Sequence, residues 1–120
     1  MAAIKVTLTD VSSKGDGSAM KAVWAAVTEN DTFVAVSMPE YLRASVHISG
    51  TFGGGTVVLK GSNTGTNFFG LDDIEGTAIS MTSEGLKQVQ EGTQYFQPTH
   101  SGGSSSSITV TMLFVGPRRY

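Results

Sequence analysis

Three carboxylates crowd into "GLDDIEG": Asp72, Asp73 and Glu75. Acids this close can hold calcium, which takes about six to eight oxygens, or form an acid–base pair. The segment lacks the D-x-D-x-D-G loop with a distal glutamate. It reads instead as a solvated turn between two strands, with Leu71 and Ile74 tucked beneath it. The two histidines are far apart in sequence. His47 falls on the polar face of an alternating run and His100 at a loop mouth, and neither has a carboxylate at a recognisable spacing. Both read as surface histidines. No serine lies in a G-x-S-x-G context. With no cysteine in the chain, a thiol nucleophile, a disulfide, a thiolate zinc site and an iron–sulfur cluster are all excluded. No residue is assigned a catalytic, metal-binding or cofactor-binding role, and the chain is expected not to be an enzyme.

The other feature with chemical potential is "SGTFGGGTVVLKGSNTGTNFFG", residues 49–70, which holds seven of the fifteen glycines. A glycine cluster cradles a phosphate when a helix opens directly after it, and none is legible here. Gly53, Gly54 and Gly55 separate two alternating runs, where a tight turn needs positive φ. Asn63 and Gly65 close the next run as turn formers. The stretch therefore reads as two turns around one strand. Trp24, Tyr41, Tyr95 and the six phenylalanines either fill a core or line a sugar platform. At alternating positions of a small β domain, the core is the default.

These residues need a scaffold of short strands. "SITVTMLFV" puts Ile108, Val110, Met112 and Phe114 on one face, and "LRASVHIS" does the same with Leu42, Ala44, Val46 and Ile48. Period-two alternation marks a strand buried on one side. "TVVLKG", "IKVTL" (4–8), "KAVWAAV" (21–27), "FVAVSM" (33–38) and "TAISM" (77–81) also read as strands. "TQYFQPTH" is an extended piece in which Pro98 argues for an edge or a strand end. "TSEGLKQVQE" (82–91) is expected to form a helical turn near 83–90, capped by Thr82 or Ser83, with Leu86 and Val89 facing inward. "SSKGDGS" (12–18) reads as a flexible loop and "SGGSSSS" (101–107) as a polar hairpin loop. The expected fold is all-β: a small antiparallel β-sandwich of seven or eight short strands in one domain over residues 1–120. Residues 1–8 and 117–120 are expected to serve as extended arms.

Composition narrows the function classes further. A net charge of −2 and a charged fraction of 15% give no basic face for nucleic acid. No run reaches the about 20 apolar residues of a membrane helix, and "MAAIKVTLTD" has no signal-peptide pattern. The expectation is a soluble protein made in a cytosol, with no nucleic acid or membrane partner.

From Gly50 to Phe68, "GTFGGGTVVLKGSNTGTNF", and again from Ile79 to Leu113, the sequence resembles small structural virion proteins of tailed bacteriophages. Their segment reads "GTFGGATVTLEGSNDGTNW", followed by an "LT..G" turn and helix, an aromatic strand ending in "RP", and a last strand like "SLTVTL". Thr64 stands where the pattern has Asp, Phe68 where it has Trp, and Gln97 where it has Arg before the proline. The resemblance implies a capsid decoration (cement) protein, made in the host bacterial cytoplasm and placed on the outer surface of the head. It would bind the major capsid protein and its own copies, as a trimer. Ile4 and Val6 in one terminal segment and Arg118, Arg119 and Tyr120 in the other are then the candidate contacts to subunits or shell. A strand followed by "SNDG..W" also occurs in galactose-binding-like sandwich modules. The alternative is therefore a carbohydrate-binding, host-attachment module of a head fibre or tail, using Phe68, Phe69, Tyr41 or Trp24. A hydrolase would need a nucleophile–base set that is not legible.

Overall fold

A computed structural model describes residues 3–12, 15, 18–38, 43–90 and 93–116. Among them are twelve strands: β1 (Ala3–Ile4), β2 (Thr7–Asp10), β3 (Ala19–Val27), β4 (Thr32–Phe33), β5 (Val36–Ser37), β6 (Arg43–Thr51), β7 (Thr56–Ser62), β8 (Phe69–Gly70), β9 (Ser80–Met81), β10 (Gly85–Val89), β11 (Tyr95–Ser101) and β12 (Ser107–Val115). The fold is an all-β sandwich. The strand count exceeds the seven or eight expected because several predicted strands are broken into two-residue pieces. "FVAVSM", for example, divides into β4 and β5 around Val34 and Ala35.

Sheet one has the order β10-β6-β12-β3-β2. Sheet two has the order β5-β11-β7-β8, and β9 also pairs with β7, nearer its start than β8. These pairings are antiparallel, whereas the short β1–β4 pair is parallel. The long strands form one ribbon folded over on itself. β6 runs into β7 and β12 follows β11; β6 pairs with β12 from Arg43↔Val115 to Thr51↔Ser107, and β7 with β11 from Thr56↔Ser101 to Ser62↔Tyr95. Both chains of the ribbon therefore cross between sheets at the same crease, residues 52–55 and 102–106.

This corrects one expectation. The "SGGSSSS" loop is not a hairpin, because it joins strands of different sheets, as the tight turn at Gly53–Gly55 also does. β2 and β3, by contrast, do pair directly.

The core is built by alternation. Ala22 and Trp24 of β3, Val46 and Ile48 of β6, Val57 and Leu59 of β7, and Ile108 to Phe114 at every second position of β12 all point inward and are buried. Each large side chain removed from water contributes about 2 kcal/mol. Trp24 is fully buried, and its Nε1–H donates to the Val34 carbonyl oxygen at 2.7 Å, so its one polar group is satisfied. Its ring meets Phe33 edge-on at 6.2 Å. Phe96 and Phe114 close the gap between the sheets at 5.2 Å.

The helical turn expected at 83–90 is strand β10 instead. Residues 85–89 pair with β6 from Gly85↔Ile48 to Val89↔Ala44. In a strand Leu86 and Val89 must face opposite ways, and accordingly Leu86 is 66% exposed while Val89 is buried. A short run opened by glycine has too few turns to sustain a helix, and the open edge of β6 offers it backbone partners, so pairing overrides the local pattern. Pro98 satisfies the edge expectation. Its register partner Leu59 directs both N–H and C=O toward Ile79 and Leu71. The missing amide hydrogen of Pro98 therefore lies on the side where β5 has already ended.

Candidate functional site

The acidic turn is a structural device. Asp73 is buried, and one of its carboxylate oxygens accepts from the backbone N–H groups of Glu75 (2.9 Å) and Thr77 (3.0 Å). Its other oxygen lies 3.9 Å from the Nζ of Lys87, which projects from β10 on the core-facing side. Leu71 is buried under the turn as expected, but Ile74 is 57% exposed, because the turn lifts it clear of the sheet. Among the described residues no group of three or more His, Asp or Glu is arranged to hold a metal ion.

The histidines do not meet. His47 is exposed on the outer face of sheet one, between Leu86 and Thr111 in register. His100 is half-buried in sheet two, not simply at the surface. Its Nε2 lies 2.6 Å from the Asp31 carbonyl oxygen, and its ring stands edge-on to Phe33 at 5.6 Å.

No motif or spacing marked Glu29 in advance. Its carboxylate accepts from the backbone N–H of Ser106 (2.9 Å), the Ser106 hydroxyl (2.9 Å) and the N–H of Ser105 (3.2 Å). Those donors, the Ser106 backbone first, hold its pKa down at about 2. The contact spans the loop after β3 and the crossing loop before β12, which only the tertiary fold brings together. Ser105 sits at φ 53°, unusual for a residue with a side chain.

The aromatic residues divide sharply. Trp24, Phe33, Phe52, Phe96 and Phe114 are core. Phe69 is 72% exposed, the most exposed large apolar side chain described. It stands at the rim of a cleft of about 450 Å³ at the β8 edge of sheet two, lined also by Ser62, Asn63, Thr64, Asn67 and Thr93. Tyr41 lies outside the described residues.

The second predicted turn belongs to this cleft, and its organiser is Ser62, which sequence reading passed over. The buried Ser62 Oγ accepts from the N–H groups of Thr64 (3.1 Å) and Gly65 (3.0 Å), and contacts the Thr64 hydroxyl at 3.2 Å. Asn63 ties the turn to the next strand through its Oδ1, which accepts from Gln94 N–H at 3.0 Å. Gly65 adopts φ +85° against the Tyr95 ring.

At the crease, Gly53 (φ +58°) and Gly54 (φ +84°) take left-handed backbone as expected. Gly55 does not; it is needed for close approach to the Ser101 carbonyl oxygen, where a Cβ would sit at 3.0 Å.

Of the proposed contact residues, Ile4 and Val6 are half-buried and pack against the core. The described part of the N-terminal segment is therefore docked rather than free: β1 pairs with β4, and β2 with β3. Arg118, Arg119 and Tyr120 lie outside the described residues.

No family model matches the chain, and no curated protein matches it in sequence. Among solved structures it is similar to the SPBc2 prophage-derived protein YomS, with a TM-score of 0.64 at 11% identity, over 82% of this chain and 95% of that one. Protein BH2720 of Bacillus halodurans matches at a TM-score of 0.41 and 6% identity, over 85% of this chain and 65% of that one. The first likeness shows a shared fold; the second carries no argument. The chain thus has the all-β architecture of a prophage-derived protein.

Proposed function

We propose that this chain is a non-enzymatic structural protein of a bacteriophage virion, acting as a decoration protein that binds the outer head surface and its own copies. The observation that carries this reading is the fold it shares with a prophage-derived protein along nearly that protein's whole length. The virion-protein-like segment from Gly50 to Phe68 supports it. In the fold that segment supplies the crease and the second turn, so its glycines serve backbone geometry.

The outer face of sheet one suits repeated contact. In register across it run Leu86, His47, Thr111, Val23 and Thr7, then Gln88, Ser45, Leu113, Lys21 and Thr9. These two rows carry no carboxylate, so a neighbour meets a weakly charged surface with little desolvation cost. Many weak contacts of this kind add up over a lattice. The partners in this reading are the major capsid protein and further copies of the chain, as a trimer.

The test is to add purified protein to phage heads assembled without it. Co-sedimentation to saturation and a raised temperature of head disruption are expected. A chain that stays in the supernatant at micromolar concentration is not a decoration protein. Replacing Leu113 by Asp should abolish binding while leaving the fold intact.

A further inference from the structure

The geometry points to the cleft beside Phe69 as a binding site for a neutral saccharide. This goes beyond a role in the particle shell and does not depend on it, since the cleft lies in sheet two, away from the face assigned to lattice contact. Three features define the ligand.

The first is the absence of charge. Among the described residues the lining consists of hydroxyls, amides, glycine backbone and two apolar side chains, Phe69 and Leu71, without an acid or a base. A phosphorylated or carboxylated ligand would find no countercharge there. The second is the pairing of an exposed aromatic ring with fixed polar groups. Phe69 is 72% exposed although five other aromatic residues are buried in the core. An exposed ring beside a polar cleft is suited to the C–H face of a sugar ring, while amides and hydroxyls take its equatorial hydroxyls.

The third feature is pre-organisation. Asn63 Oδ1 is held by Gln94 N–H, which leaves the donor Nδ2 of this cleft-lining amide to meet a ligand. Thr64 is held by Ser62 and touches the Thr66 hydroxyl at 3.1 Å. Asn67 is exposed at the mouth. Groups fixed before binding lose little entropy on binding. The floor is equally constrained: a Cβ on Gly61 would fall on the Thr93 hydroxyl and lie 3.0 Å from both methyl groups of Leu71. A purely apolar docking patch would not need amides placed this way.

The experiment is a titration of the isotopically labelled full chain, followed by backbone amide resonances. The probes are glucose, galactose, N-acetylglucosamine, maltotetraose and chitotetraose. Saturable shifts are expected with at least one of them, confined to residues 61–71 and 93–94. Phe69→Ala should weaken that binding about tenfold or more, and Asn67→Ala severalfold. Both positions are exposed, so neither variant should lose its folded spectrum. Head binding is measured in parallel on Phe69→Ala and should be unchanged, which separates failure of this inference from failure of the decoration role. The inference is overturned if no probe gives saturable shifts. It is overturned equally if the shifts persist in Phe69→Ala.

Discussion

Residues 50–55 and residues 61–71 come from one glycine-rich stretch, yet they end in opposite conditions. The first is closed. A Cβ on Gly50 would fall on the Ser107 carbonyl oxygen and one on Gly53 on the Ser104 carbonyl oxygen. Ser104 N–H donates to the Gly53 oxygen at 3.0 Å, so two backbones touch with no side chain between them. The second is open. Gly70 has nothing within 4 Å of its notional Cβ, and the segment walls a cleft crowned by an exposed ring. Glycine content alone does not separate these cases; what separates them is whether a second strand of the ribbon crosses over the turn. In the closed region Gly50, Gly53 and Gly55 are fixed by packing. In the open one a serine and an asparagine do the holding, and side chains are free to meet a ligand.

The largest expected effect tests the closed region. Gly53→Ala combines positive φ with a direct clash against backbone, and should cost about 4 kcal/mol or more in urea unfolding, at the far end of single-residue effects. Loss of less than about 1 kcal/mol there would mean that the crease is not closed.

Ser62→Ala tests what holds the open region. It strips two N–H groups of their acceptor at a buried position and should cost about 1–2 kcal/mol by the same measurement. Next comes Gly54→Ala, the control for Gly53. Its φ is also left-handed, but a Cβ there meets open space, so only the backbone term remains, about 1 kcal/mol. Equal costs at Gly53 and Gly54 would remove the distinction between packing and conformation.

Glu29 adds a pH test of the crease. Its pKa in the fold, about 2, lies below the ordinary value of 4.5, so the unfolded chain binds the proton more readily. The contribution is therefore fully present above about pH 4.5 and is lost as pH falls toward 2. Glu29 is only half-buried, so solvent screens the interaction; the effect should be modest and is better read locally. Protection of the Ser105 and Ser106 amides from hydrogen exchange, relative to their intrinsic rates, should fall over that window in the native chain, and should already be lower at neutral pH in Glu29→Gln. Phe69→Ala is the smallest expected change, within about 0.5 kcal/mol of the native stability, because the ring is already in water. A large loss would place Phe69 in the core and remove it as a binding element.

Much of the strand pattern was legible because alternation is local. The inward rows of β6, β7 and β12 follow directly from residues such as Val46, Leu59 and Val110, and Trp24 lies in the core as its neighbours suggested. The helical turn at 83–90 misled because Leu86 and Val89 have helical spacing, and the pairing partner that overrules it, β6, lies some 40 residues away in sequence. The candidate site was half legible. Asn63 and Gly65 mark a turn, and Phe69 was among the aromatics singled out. Nothing local to Ser62 indicated that its hydroxyl would become the anchor.

The sequence by itself determined that the chain is all-β, that it has no thiol chemistry, and where its turns fall, because these depend on side-chain period and on backbone preferences within a few residues. Only the tertiary structure decided which turns are closed and which are open. It also decided that Glu29 clamps the loop before β12, and that one phenylalanine of the six faces solvent beside amides. Those outcomes depend on two distant segments crossing at the crease. Such a meeting is written in the sum of all the pairings and in no single stretch of residues.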